Sequence, residues 1–105
     1  MSIASTPQPP YYAVIFTSIK NEVINEYEEV SKRMVELVQK QPGFLGMESV
    51  SEQKVGITIS YWANLESIQN WRKNFEHQEA QKLGREKFYQ AYKVKVCLVE
   101  RDYSF

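Results

Sequence analysis

The chain has a single cysteine, a single histidine, four glycines, four prolines and no excess of either charge, and each shortage closes off a class of protein. One thiol, Cys97, cannot make an intrachain disulfide. One cysteine and one histidine, His77, are also too few for a zinc cluster, and they lie too far apart in the chain to suggest a thiol nucleophile with its own base. Glycines scattered over turns and one strand supply no phosphate-binding loop. Thirteen basic residues balance thirteen acidic ones, so the chain lacks the electrostatic footprint that holds a nucleic-acid backbone or an anionic membrane. No apolar run approaches the roughly 20 residues of a membrane-spanning helix, and Met1 to Pro10 has neither a basic start nor an apolar stretch. The expectation is a cytoplasmic protein without metal, nucleic acid or membrane as partner.

What is present is ordinary for a globular domain: 105 residues, 43% hydrophobic and 25% charged, enough for one core and not for two. Three of the four prolines fall in the first ten residues, which cannot sustain a helix or an interior strand, so residues 1–10 read as a flexible N-terminal arm and residues 11–105 as a single domain. Tyr11 to Ile19, β-branched and aromatic, predicts a strand. From Val23 to Gln39 the residues Ile24, Tyr27, Val30, Met34, Leu37 and Val38 recur at three- and four-residue steps, the mark of an amphipathic helix. It stops at Gln41-Pro42-Gly43, since proline disfavours helical geometry in the residue before it and glycine turns the chain without steric cost.

Phe44 to Ser51 and Val55 to Trp62 predict two strands joined by Glu52-Gln53-Lys54, hence a hairpin. Asn64 is a good helix N-cap, Glu66 suits the positive end of the helix dipole, and Leu65, Ile68, Trp71 and Phe75 follow at helical spacing. This second helix runs on through His77 towards Gly84, with a further helical stretch at Arg85 to Tyr89. Tyr92 to Tyr103 alternates as the last strand, with Cys97 a small buried or half-buried hydrophobe within it. The order β-α-β-β-α-β is that of a ferredoxin-like α+β domain with an antiparallel sheet and both helices on one face. Apolar residues occupy both parities of the strands, so the other face needs a cover. A second copy of the chain supplies it, and the expectation is a homodimer.

The segments Gln41-Pro42-Gly43-Phe44-Leu45-Gly46, Ile59-Ser60-Tyr61-Trp62, Asn70-Trp71-Arg72, Glu76-His77, Ala80-Gln81 and Gly84-Arg85 occur in an order and spacing that resembles the antibiotic biosynthesis monooxygenase family. The resemblance covers Tyr11 to Phe105. It implies a dimeric α+β barrel, and for function a monooxygenase that oxidises a small aromatic or apolar metabolite with neither metal nor flavin. Relatives that degrade haem carry an Asn on the first strand, a Trp on the second helix and a His ten residues after the Trp. This chain keeps the Trp, as Trp71. No Asn lies between Tyr11 and Ile19, Gln81 stands ten residues after Trp71, and His77 falls about one helical turn earlier.

The resemblance to the cofactor-free members assigns Trp71 and His77 to the reaction, Trp71 beside a phenolic substrate and His77 as the base. A histidine suits that task because its unperturbed pKa lies near neutrality. The plainer reading of Trp71 is packing between helix and sheet, and that of His77 is a helix-surface residue. Tyr61 and Trp62 point to opposite faces of their strand, so one lines the cavity and the other packs outside it. Phe75, Tyr89, Arg72 and Arg85 complete the candidate substrate contacts, the arginines for an anionic group, with solvated surface arginines as the alternative. Two further functions stand beside the monooxygenase: a non-catalytic ligand-binding or stress-response module of the same fold, and a haem-binding or haem-degrading protein.

Overall fold

A computed structural model describes residues 3–21, 25–77 and 88–105, with residues 25–27 and 75–77 described for their backbone alone. The element order is β1 (Tyr11–Lys20), α1 (Asn25–Val38), β2 (Phe44–Glu52), β3 (Val55–Trp62), α2 (Leu65–His77) and β4 (Tyr89–Val99). The four strands form one sheet in the order β2-β3-β1-β4, and every neighbouring pair is antiparallel. Each helix therefore joins two parallel strands with a third strand between them. That is the split β-α-β unit, made twice, and it is the ferredoxin-like α+β fold expected from the sequence.

The pairing register sorts the side chains onto two surfaces, because residues directly opposite in an antiparallel pair point the same way. Tyr12 sits opposite both Trp62 and Leu98, Val14 opposite Ser60 and Val96, and Phe16 opposite Thr58 and Val94. This is the surface under the helices, since Trp62 stacks on Trp71 of α2 with ring centroids 6.4 Å apart. The opposite, open surface carries four rows running from β2 to β4. They are Gly46-Tyr61-Ala13-Cys97, Glu48-Ile59-Ile15-Lys95, Val50-Ile57-Thr17-Lys93 and Glu52-Val55-Ile19-Ala91.

Two backbone features need their residues. Gly43 has φ of 82°, a region that costs any residue with a Cβ. A Cβ there would also lie 2.7 Å from Ser67 Cβ, so glycine alone lets the α1–β2 turn rest on the first turn of α2. Gly46, with φ of 155°, sits in a bulge where the β2–β3 register shifts between Phe44 and Gly46. At the other end of that hairpin, Gln53 takes φ of 54° in the two-residue connection to Lys54.

The strand boundaries differ from expectation by one residue at the ends of β1 and β2, which run to Lys20 and Glu52, and by more in β4. It begins at Tyr89 rather than Tyr92, because Tyr89 pairs with Lys20 across a register shift at Ile19/Lys20. It ends at Val99 rather than Tyr103 because Val99 already faces Tyr11, the first residue of β1, and no partner strand continues beyond. The helical stretch expected at Arg85 to Tyr89 lies outside the described residues except for Phe88 and Tyr89. Among the described residues the buried apolar side chains are Tyr11, Ala13, Val38, Trp62 and Phe88.

Candidate functional site

Trp62 closes β3 and is wholly buried. Its indole N–H donates to Ser60 Oγ at 2.9 Å, Phe44 meets its ring edge-on with centroids 5.4 Å apart, and Trp71 stacks over it at an interplanar angle of 27°. The start of α2 holds this cluster together. The Asn64 side chain accepts the Ser67 N–H at 2.8 Å, the N-cap bond read from the sequence. Ala63 N–H donates to Gly43 C=O at 2.8 Å, which fixes the height at which α2 leaves the sheet and so sets Trp71 on Trp62.

Beside this aromatic anchor the helix-side surface is poorly covered. Val94, Val96 and Leu98 of β4 face the helix layer, yet they are 49%, 51% and 48% exposed. With Tyr12, Val14 and Phe16 opposite them on β1, they make an apolar floor. Four residues separate Leu98 from Val94, about 13 Å at the rise of an extended strand, long enough for a fused-ring molecule. At the far end Phe16, Tyr89 and Tyr92 form an aromatic triplet with centroids 5.3–5.8 Å apart. No described side chain on this floor is a carboxylate or an imidazole, and no group of three or more His, Cys, Asp or Glu residues able to hold a metal occurs among the described residues.

The residues singled out from the sequence divide accordingly. Trp62 and Trp71 are brought together at one end of the floor, and Tyr89 stands at the other end beside Phe16. Arg72 is exposed on α2. His77 ends α2, but its side chain and that of Phe75 lie outside the described residues, as does all of Arg85. Val94, Val96 and Leu98 were not singled out. Their strict alternation in the last strand was the available signal, and it does not say which parity the helices leave bare.

Tyr61 occupies the open surface, so it shares no chamber with Trp71. Its hydroxyl donates to Glu48 Oε1 at 2.5 Å. Edge-on to it, with centroids 5.9 Å apart, is Tyr11, whose hydroxyl donates to Asp102 Oδ2 at 2.5 Å. Burial, followed by the Glu48 hydrogen bond and its charge, pushes the Tyr61 phenol up to about 12. The hydrogen bond to Asp102 is the main cause of the upward shift at Tyr11. Neither phenol releases its proton near neutrality, so these are ties rather than reactive groups. They fasten both ends of the chain: Ala4 N–H donates to Glu48 Oε2 at 3.1 Å and Thr6 Oγ1 to Tyr11 Oη at 3.0 Å.

A ferredoxin-like α+β domain with an incompletely roofed apolar floor between sheet and helices is thus the class that fold and site define. The family model described as "Antibiotic biosynthesis monooxygenase" matches residues 10–83, and the chain belongs to that family. It is 49% identical over 104 residues to the uncharacterized protein YqjZ of Bacillus subtilis (strain 168), a match covering 98% of this chain and 91% of that protein. Solved structures with the same fold include an N63A mutant of SnoaB, a cofactor-independent oxygenase of Streptomyces nogalater. That match has a TM-score of 0.72 at 15% identity, over 88% of this chain and 95% of that one. Rv0793 of Mycobacterium tuberculosis superposes with a TM-score of 0.77 at 10% identity, over 90% of this chain and 99% of that one. Among the described residues no helix is long and apolar enough to cross a membrane.

Proposed function

We propose that this chain is a monooxygenase of the antibiotic biosynthesis type, acting without metal or flavin on a small aromatic or apolar metabolite, and that it works in the cytoplasm as a pair of identical chains. The observation that carries the reading is the floor of Val94, Val96 and Leu98, half bare on the surface that faces the helices. Apolar side chains so exposed beside an aromatic cluster are a surface for an apolar ligand. Family membership and the fold shared with a cofactor-independent oxygenase support the reaction class.

In this reading the substrate lies along the floor with Trp71 at one end, and His77, the sole imidazole of the chain, removes its proton. The electron-rich anion then reduces dioxygen itself. A carbon–oxygen bond forms, the oxygen–oxygen bond breaks with loss of water, and a CH2 group becomes a carbonyl. One oxygen atom stays in the product and the other leaves as water, so four electrons pass from substrate to dioxygen. Phe75, Tyr89, Arg72 and Arg85 are proposed as further contacts.

The test is oxygen uptake by purified protein with a panel of quinols, anthrones and polyphenols, compared with His77→Ala and Trp71→Ala. Uptake by the wild type that falls at least about a hundredfold in His77→Ala is expected of a lost general base. A second reading has its own observation: no described floor residue offers a base. If His77→Ala binds the same aromatic ligands and no uptake occurs in either protein, the chain is a ligand-binding module. A haemin titration with no Soret shift removes the haem reading.

A further inference from the structure

Next to the apolar floor, one strand over, stands a hydroxyl whose orientation is fixed. Ser60 of β3 lies on the helix-facing surface between Met47 of β2 and Val14 of β1, and Val14 in turn faces Val96 of β4. Its neighbours along β3 on that surface are Thr58 and Trp62, by the two-residue period of a strand. Ser60 is half-buried, so it is covered only in part.

The Trp62 indole dictates what this hydroxyl can do. An indole N–H is a donor only, and Trp62 is wholly buried, where a donor left without a partner is costly. It donates to Ser60 Oγ at 2.9 Å. Ser60 is thereby held as an acceptor on the side of the indole, and its own proton is turned away from Trp62. That proton meets no acceptor among the described residues. Thr58, the next hydroxyl on this strand and surface, is already engaged with Ser49 Oγ at 3.0 Å. Ser60 therefore brings an oriented donor to the row that holds Val14 and Val96.

We infer that Ser60 is a specificity-determining residue of this floor: its hydroxyl donates to a ketone oxygen of the ligand while the ring skeleton lies over Val14 and Val96. Neighbouring strands are about 4.8 Å apart, so Val96 lies about 10 Å from Ser60 across the sheet, room for fused rings with the oxygen at their β3 edge. This deepens the reading of the floor as the ligand's surface and rests on it. A hydrocarbon of the same shape would cover Ser60 and leave its proton unpaired, which is unfavourable. In the proposed reaction the ketone oxygen becomes an enolate oxygen once the neighbouring carbon loses its proton. A hydrogen bond to a charged acceptor is roughly twice as strong as a neutral one, so the contact that seats the ligand also favours its anion.

The experiment is equilibrium dialysis of the full chain against 1-tetralone and against tetralin, two-ring molecules of like shape that differ by a carbonyl oxygen. The wild type should bind the ketone about two- to tenfold more tightly, the contribution of one neutral hydrogen bond. Ser60→Ala should remove that preference by weakening the ketone alone, and Ser60→Thr, which keeps a hydroxyl, should retain it. Val96→Ala should weaken both molecules alike. Because Ser60→Ala leaves the Trp62 N–H without its acceptor, each variant is checked for folding by near-ultraviolet circular dichroism. If Ser60→Ala fails to fold, Ser60→Cys, whose thiol is a weak donor, takes its place with the same expected loss. A wild type that holds both molecules equally overturns this inference and leaves the floor as a ligand surface. So does a folded Ser60→Ala or Ser60→Cys protein that keeps the preference or loses both molecules alike. A wild type that binds neither molecule overturns the reading of the floor and this inference with it.

Discussion

Gly43→Ala tests the link between the α1–β2 turn and the Trp71–Trp62 stack. Two penalties act at once. A Cβ at φ of 82° costs about 1–2 kcal/mol, and the approach to Ser67 Cβ at 2.7 Å forces α2 or the turn to shift, about 1–3 kcal/mol as for overpacking. Against them, alanine restricts the unfolded chain and returns about 0.4–1 kcal/mol. The expected net loss is about 2–3 kcal/mol, a fall of about 1–2 M in the urea midpoint for a domain of this size. The same change in a Ser67→Gly background removes the collision and leaves the dihedral term, so the loss there should shrink to about 1 kcal/mol. Tryptophan fluorescence is the second readout, because both indoles of the chain lie in the stack that the turn positions. A Gly43→Ala protein within about 0.5 kcal/mol of wild type, the usual scatter of surface substitutions, would refute the reasoning. Equal losses in both backgrounds would refute the packing part alone.

Two further outcomes follow from burial and ionisation. Tyr61 has its folded-state pKa raised from 10.0 to about 12. The neutral phenol is therefore favoured by folding, the stabilisation is complete below about pH 10, and it is lost as pH rises through 12. Thermal midpoints measured from pH 9 upward should fall in that window, and Tyr61→Phe should flatten the fall; an unchanged slope would dissociate the Glu48 bond from alkaline unfolding. Trp62→Ala, at the one fully buried large side chain described, should cost about 3–5 kcal/mol. Val96→Ala, half exposed, should cost under about 1 kcal/mol, and denaturant titration of both variants checks the order.

The strands, the start of α2, the end of α1 and the fold class were legible because each rests on local pattern: alternation in Val55 to Trp62, the Asn64 cap, the Pro42-Gly43 stop; the expected start of α1 at Val23 lies outside the described residues. The opposition of Tyr61 and Trp62 was legible too, from the two-residue period of a strand. Which surface each occupies was not. That depends on the bulge at Gly46 and on pairing between Tyr12 and Trp62, contacts separated by tens of residues. For the same reason the partners of Tyr11 and Tyr61 were hidden. Asp102 and Glu48 reach them from other parts of the chain, and nothing in the local sequence marks a carboxylate as a phenol's acceptor. The end of β4 was placed too late because a strand needs a partner, and β1 has none left to give beyond Tyr11 opposite Val99.

The two surfaces of the sheet differ in what their bare apolar groups require. On the open side the exposed aliphatic residues lie between edges of opposite charge, a pattern that a large and oriented partner can match. On the helix side Val94, Val96 and Leu98 share their rows with Phe16, Val14 and Tyr12 of β1 and Thr58, Ser60 and Trp62 of β3, none of them charged. Burying a Val or Leu fully contributes about 1.5–3 kcal/mol, so covering the exposed half of these three side chains contributes about 2–4 kcal/mol. That corresponds to roughly 30- to 1,000-fold in affinity, supplied by contact area alone. An ion pair to an exposed helix arginine such as Arg72 contributes about 1 kcal/mol or less. In the proposed reading, a ligand held on this floor gains more from its apolar surface than from an ion pair with Arg72, which leaves that arginine a secondary, orienting part.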